Sequence, residues 1–437
     1  MTEFGAMPDD DLPDDEGIAA ALAALEPGQW LIFPPGRYLQ QRSILVERPG
    51  VTLWGYGAHL HATNPADHTL GLRADGVRVY GFTLTAVTDR RRSEPAQARI
   101  SISGRPGEPA LQRGNVVRGN LVTYGDTPES ANASGSAGIF VERARRFTIA
   151  ENIVQRSLAD GIHVTGASHE GRIVGNRVRE VGDDMIALVS YLPEGWQARL
   201  RGDPAWAAAF EAGELQVRQV VVQGNDVADN YWGRGITAVG SRDVTISGNR
   251  IARSNYAAGL LVAQEGGYRT PGPRNVLLED NLVSEVQTEL PAYVPAGEAF
   301  AALRSLWGAA GAPHRTGHAA IEVHAVQNNV LDVGDPLLQP ALAMRGVRIE
   351  RNVVQQGATD GVRIGLATLP GLVRDVAVVD NRFVQLAGAA VRNVGDMSSL
   401  FCSGNALDGA PLATNCPLPS PPPPVTGATL DCTALPQ

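Results

Sequence analysis

The chain has 437 residues, enough for one large domain or two to three ordinary ones, and its 43 % hydrophobic and 19 % charged content excludes a disordered or fibrous protein. A formal charge of −9, with no basic run longer than Arg90-Arg91-Arg92, excludes a nucleic-acid binder, whose affinity rests on neutralising many phosphates. All 37 basic residues are arginine, so lysine enters no catalytic scheme. No stretch approaches the roughly 20 apolar residues of a membrane span, and the N-terminus lacks a basic-then-apolar signal. The numbered chain therefore reads as mature or soluble, with no membrane partner.

The first predicted element is a helix from Asp14 to Leu25, with Asp14 as N-cap and Ile18, Ala21, Leu22 and Leu25 on one face. It precedes Trp30-Leu31-Ile32-Phe33-Pro34-Pro35-Gly36 and suits the role of a cap over an exposed hydrophobic layer. Beyond it a short motif repeats, apolar-x-x-Asn-x-apolar, with its asparagines at Asn120, Asn152, Asn176, Asn225, Asn249, Asn281, Asn352 and Asn381. The intervals of 32, 24, 49, 24, 32, 71 and 29 fit a unit of about 24 residues, with insertions or skipped turns in the longer gaps. After most of these asparagines comes a second short strand, such as Gly161-Ile162-His163-Val164 or Gly235-Ile236-Thr237-Ala238, whose alternation turns the second and fourth residues inward.

Units of short β-branched strands with Gly and Asn at the corners, and no helical period between them, predict an all-β right-handed parallel β-helix. The recurring asparagines would stack as an internal ladder. Barrels and doubly wound folds need amphipathic helices between strands, and only one further segment, Pro204 to Ala212, reads as helical. We expect a single domain over residues 1–415 with the capping helix near 14–25 and insertions at 190–218 and 287–319. The proline-rich tail, 416–437, follows. Long insertions in a compact fold are usually functional or disordered, and the aromatic content of these favours function.

Phe4-Gly5-Ala6 with its acidic run, the helix, and Phe33-Pro34-Pro35-Gly36-Arg37-Tyr38 resemble the N-terminal region of pectate-lyase-superfamily β-helix proteins. Gly182-Asp183-Asp184-Met185-Ile186-Ala187-Leu188 resembles the Gly-Asp-Asp motif of the polygalacturonases of glycoside hydrolase family 28. That family's Asn-Thr-Asp-Gly and Gly-His-Gly motifs fall on Leu158-Ala159-Asp160-Gly161 and Gly233-Arg234-Gly235. The resemblance spans residues 4 to 285 and implies an inverting hydrolase, with Asp183 protonating the leaving oxygen and Asp160 and Asp184 holding and deprotonating the water. Two departures stand out. Arg234 replaces the family's histidine, and its Arg-x-Lys clamp is replaced by Leu260-Leu261-Val262-Ala263-Gln264-Glu265, which leaves the class of sugar open.

Register supports the match independently. Superposing Gly161, Met185 and Gly235 places Asp160, Asp184 and Arg234 on successive coils, and two stacked carboxylates repel, so one should keep its proton to higher pH. Inversion predicts an acid and base about 6.5–9.5 Å apart with water between. Because Asp183 and Asp184 would face opposite sides in a regular strand, the reading needs a bend at Gly182.

The outward His163 lies on the coil of Asp160, and Tyr191, Tyr231, Trp232 and Tyr256 join Arg234 and His163 as candidate sugar-binding residues, with Trp196, Trp206 and Tyr268 nearby in loops. The partner is a polysaccharide or oligosaccharide, and hydrolysis implies no metal or other cofactor. A lyase or uronate epimerase is the alternative, with Asp160, Asp183 and Asp184 as Ca²⁺ ligands and Arg234 as base or clamp. A third reading is a non-catalytic binding solenoid of the tail-spike kind. His59-x-His61 lacks a further ligand in view, His314, His318, Glu322 and His324 lie coils away, and Asp360-Gly361 reads as a corner. Of Cys402, Cys416 and Cys432, two can form a disulfide, which fits a secreted or periplasmic protein. Monomer and trimer are both compatible with the architecture.

Overall fold

The computed structural model describes residues 1–104, 111–296, 300, 301, 304, 305, 316–326, 338–365, 372–395, 399–413 and 416. Through these the backbone winds across three parallel sheets. One coil runs from Thr148–Ala150 in the first sheet to Ile153–Gln155 in the second and Ile162–Thr165 in the third, then returns to the first at His169–Val174. Pairing keeps register from coil to coil: Ile162 lies beside Ile186, Ile186 beside Ile236, and Ile236 beside Leu260. Parallel crossovers on a twisted sheet wind right-handedly, and the chain is a right-handed parallel β-helix, the fold class expected.

The interior is built from the inward positions. Ile162 and Val164, Ile186 and Leu188, Ile236 and Ala238, and Leu260 and Val262 are all buried, stacking into aliphatic columns. Each full burial of a large aliphatic side chain is worth about 1.5–3 kcal/mol. Helix Asp15–Ala24 covers the first coil with Ile18, Ala21 and Leu22. Asp14 sits at its N-cap but does not cap it; its carboxylate accepts the amides of Met7 and Leu39 instead, fastening the N-terminal segment to the second sheet.

At the corner between the first and second sheets the asparagines form the expected ladder. The backbone N–H and Nδ2 of Asn152 both donate to Oδ1 of Asn176 at 3.0 Å, and Asn152 Nδ2 also donates to the Val117 carbonyl. The pattern runs from Asn120 through Asn176, Asn225, Asn249, Asn281, Asn352 and Asn381 to Asn405. Asn405 extends the ladder by a rung that the repeat search did not include, because Cys402 holds its first apolar position. The residue before each of these asparagines takes a left-handed φ of 54–67°, at Gly119, Glu151, Gly175, Gly224, Gly248, Asp280, Arg351, Asp380 and Gly404. The non-glycine residues there cost about 1–2 kcal/mol each, so the ladder outweighs local preference.

Insertion 190–218 holds two helices, Trp196–Gly202 and Pro204–Glu211, where the sequence indicated only the second. The first escapes pattern reading because it is seven residues long and buries only Trp196. Cys402 and Cys416 are bridged, with Cα atoms 5.2 Å apart, at the C-terminal end of the described solenoid. Cys432 and the rest of 417–437 lie outside the described residues, as do His314 and much of insertion 287–319.

Asn225 tests the ladder, because its removal strips partners from the Asn176 amide and the Ile173 carbonyl. Asn225→Ala is expected to lower unfolding free energy by about 3 kcal/mol, the cost of buried polar groups left unpaired, read as a shifted urea midpoint.

Candidate active site

The turn from the second to the third sheet carries the acids. The amide of Gly161 donates to the Asp184 carbonyl at 3.0 Å and that of Met185 to the Arg234 carbonyl at 2.9 Å, so Asp160, Asp184 and Arg234 occupy one column, as register predicts. Side chains reinforce the stack. Asp160 Oδ1 accepts the Asp184 amide at 2.9 Å, and Asp184 Oδ1 accepts the Arg234 amide at 2.9 Å while Oδ2 accepts the Thr237 hydroxyl. Asp360, farther along the same column, likewise accepts the Ala389 amide and pairs with Arg392. An acid in this column is thus a structural fastener before it is anything else.

Asp183 does not follow that pattern. Residues 182–184 lie outside any strand, and a Cβ on Gly182 would fall 2.3 Å from the Leu158 carbonyl oxygen and 2.5 Å from Tyr231 Oη. A Cβ on Gly233 would meet Asp183 Oδ1 at 2.4 Å. The two glycines let the turns approach closely enough to bend Asp183 out beside its neighbours, and Asn230 Nδ2 donates to the Asp183 and Arg234 carbonyls at 3.2 and 3.1 Å.

One oxygen from each of Asp160, Asp183 and Asp184 lies within 4.8 Å of the others. Two carboxylate oxygens at that spacing can both hydrogen-bond one water, at about 2.8 Å each. This is the gap between the nearest oxygens, set by Asp160 and Asp184 stacking in one turn column with Asp183 leaning in beside them. Arg91, reaching in from the 87–99 loop, pairs with Asp183, and Arg234 bridges Asp184 at 3.2 Å and Glu265 at 3.0 Å. Burial raises Asp183 above the ordinary carboxylate range, against the pull of Arg91. Burial, with the charges of Asp183 and Asp160, pushes Asp184 up to about 7 against the pull of Arg234. Exposure ranks them: the side chain of Asp183 is 20 % exposed, Asp160 15 % and Asp184 5 %, so Asp184 forms the floor and Asp183 the rim.

The other sequence candidates divide. His163 faces outward, gives Nδ1 to Asp160 Oδ2 at 2.7 Å, and lies between the rings of Phe140 and Tyr191 at 5.0 and 6.4 Å. Tyr191 is 47 % exposed and stacks with His163, the partner of Asp160. Tyr231, Trp232 and Tyr256 need correction as open sugar platforms. All three are buried in one cluster with Leu158 and Phe300, and Trp232 stacks on Tyr256 at 4.3 Å, so their faces are spent anchoring loops. Trp196 and Trp206 likewise pack on the main core, while Tyr268 is exposed. Arg234 cannot serve as a base, because Asp184 and Glu265 hold its guanidinium firmly charged. Arg91, Thr237, Glu265 and Phe140 were missed; in-register counting from Asp184 and His163 reaches Thr237 and Phe140, but no local pattern reaches Arg91, ninety-two residues from its partner.

The family model for right-handed β-helix regions matches residues 75–289, which include the coils of Asp160, Asp183 and Asp184. Among solved structures, the chain is similar to the A-modules of mannuronan C-5 epimerases AlgE6 and AlgE4 from Azotobacter vinelandii. Their TM-scores are 0.58 and 0.56 at 14 % and 13 % identity, over 94 % and 92 % of this chain and 99 % of each module. It is also similar to the catalytic unit of a thermostable family 87 α-1,3-glucanase from Streptomyces thermodiastaticus, with TM-score 0.64 at 17 % identity, over 96 % of this chain and 65 % of that one. No curated protein sequence matches. At such identities the likeness speaks for fold alone, and that fold is a right-handed parallel β-helix.

The raised pKa of Asp184 has a thermodynamic signature. Between about pH 4 and 7 the folded chain keeps a proton that the unfolded chain has released, so this group's stabilisation is complete below about pH 4 and lost as pH rises to about 7. Asp184→Asn is expected to flatten that fall in stability, measured by urea unfolding at stepped pH; an unchanged slope contradicts the assignment.

Proposed function

We propose that this chain is a polysaccharide-active enzyme that hydrolyses a glycosidic bond in the groove over its third sheet. The observation that carries the reading is the convergence of Asp160, Asp183 and Asp184 within 4.8 Å, with Asp184 titrating near 7. Such a cluster retains a proton at neutral pH, which a glycosidic leaving group requires, while offering an ionised partner for water. Asp183, on the rim, gives its proton to the glycosidic oxygen as the C–O bond breaks with its electron pair going to that oxygen. Water held by Asp160 and Asp184 attacks the anomeric carbon and its proton passes to Asp160, while Arg91 offsets the charge left on Asp183. Arg91 sets when Asp183 can act: its guanidinium favours the ionised form, so substrate entering over Asp183 must loosen that pair before the acid is armed. No cofactor is required. The Cys402–Cys416 bridge supports a location outside the reducing cytoplasm.

A second reading is favoured by one observation. Asp160 holds His163 in a fixed tautomer beside Tyr191, an arrangement suited to removing a proton α to a uronate carboxylate, with Arg91 and Arg234 as the nearby cations. In this lyase or epimerase reading the three carboxylates are the groups able to hold Ca²⁺.

One assay separates these readings. Release of reducing ends from α-1,3-glucan, polygalacturonate and mannuronan is measured with and without chelator, alongside ultraviolet absorbance of unsaturated sugars. Hydrolysis predicts chelator-insensitive reducing ends without new absorbance, and Asp183→Asn lowering kcat by about 10²–10⁴-fold. Unsaturated or epimerised product supports the second reading, and activity untouched by Asp183→Asn supports a binding solenoid instead. Arg91→Met is expected to raise the upper apparent pKa of the kcat profile, since Asp183 is the acid and the group that lowers it is gone.

A further inference from the structure

The outer face of the third sheet continues past the acids. Thr237, which binds Asp184, lies beside Leu261, and Leu261 beside Glu322. At about 4.8 Å per coil, Glu322 stands roughly 10 Å along this face from Thr237. It is 2 % exposed and saturated by donors. Oε1 accepts from His324 Nδ1 at 2.6 Å and Arg363 Nη2 at 2.8 Å, while Oε2 accepts from His318 Nδ1 at 2.9 Å, the Ala319 amide at 3.1 Å and Arg363 Nη2 at 2.8 Å.

This arrangement fixes the chemistry of both imidazoles. Burial alone would push the Glu322 carboxyl up, but the two histidines and Arg363 outweigh it and hold the group ionised. An ionised carboxylate only accepts, so each Nδ1 carries a hydrogen, and each Nε2 is left on the side turned away from Glu322 for a hydrogen bond to another group. Asp160 orients His163 in the same way. The groove therefore carries three histidines each set by a carboxylate, one beside the acids and two together farther on. A divalent metal fits the distant pair poorly, because the Arg363 guanidinium lies 2.8 Å from both Glu322 oxygens and opposes a second cation.

We propose that His318 and His324 form a sugar-binding subsite, hydrogen-bonding hydroxyls of a unit bound two coils beyond the acid cluster, with Glu322 and Arg363 as positioning residues. Hydroxyl-rich ligands suit Nε2 atoms whose rings Glu322 holds in place, because a hydroxyl can either donate or accept. The subsite rests on the polysaccharide reading above and deepens it: the substrate is a chain several units long, gripped on one side of the scissile bond.

The test uses the full-length Asp183→Asn variant as a non-cleaving host, with nigero-oligosaccharides and mannuronan oligosaccharides of increasing length as probes. Adding His318→Ala or His324→Ala is expected to weaken binding of long oligosaccharides by about fivefold to tenfold and leave disaccharides unaffected. Glu322→Gln is expected to reproduce that length dependence, and in the Asp183-containing chain His324→Gln is expected to raise KM for long substrates with kcat unchanged. Equal losses at every length with a lowered Tm, unaltered affinity, or calorimetric Zn²⁺ binding that depends on His324 overturns the subsite. If the host binds oligosaccharides yet the histidine variants change nothing, the subsite alone fails; if the host binds neither series, the polysaccharide reading falls with it.

Discussion

Coil-on-coil register governs everything else in this molecule. Each strand is held about 4.8 Å above the last by parallel pairing, and the asparagine ladder locks one corner so that no coil can slip by a residue without breaking two hydrogen bonds per rung. Because side chains alternate, a slip would turn the aliphatic columns outward and the groove residues inward. The left-handed backbone before each ladder asparagine shows how strongly the corner is enforced: glutamate, aspartate and arginine all accept an unfavourable conformation there.

That register brings together residues whose chemistry conflicts. Asp160 and Asp184 stack because their coils stack, and the repulsion is met locally by the amides of Asp184 and Arg234, the Thr237 hydroxyl and two arginines from different loops. The glycines at 182 and 233 then allow a third carboxylate into the same space. Burial comes first and the neighbouring carboxylates add to it, pushing Asp184 up to about 7 against the pull of Arg234. The regular solenoid thus holds three carboxylates together at one buried turn.

The repeat made the winding legible in the sequence, because the Asn corner and the inward alternation are local patterns that recur. The acid column was legible for the same reason: superposing Gly161, Met185 and Gly235 is arithmetic on a periodic object. What stayed hidden was set by loops. Arg91 reaches Asp183 across ninety-two residues of sequence, Trp232 and Tyr256 bury each other instead of lining the groove, and the helix Trp196–Gly202 is too short to show a period. How far Asp183 leans from the column was hidden too, because it is decided by contacts among Gly182, Leu158 and Tyr231.

Asp360 repeats the amide fastening of Asp184 on a distant coil, with Arg392, in register with Thr237, as its side-chain partner. The winding thus offers repeated seats for an acid at a constant height above the same sheet. A reaction centre on such a frame can migrate along the axis by exchanging a few turn residues, and related chains need not keep their chemistry on corresponding coils to share one ancestor.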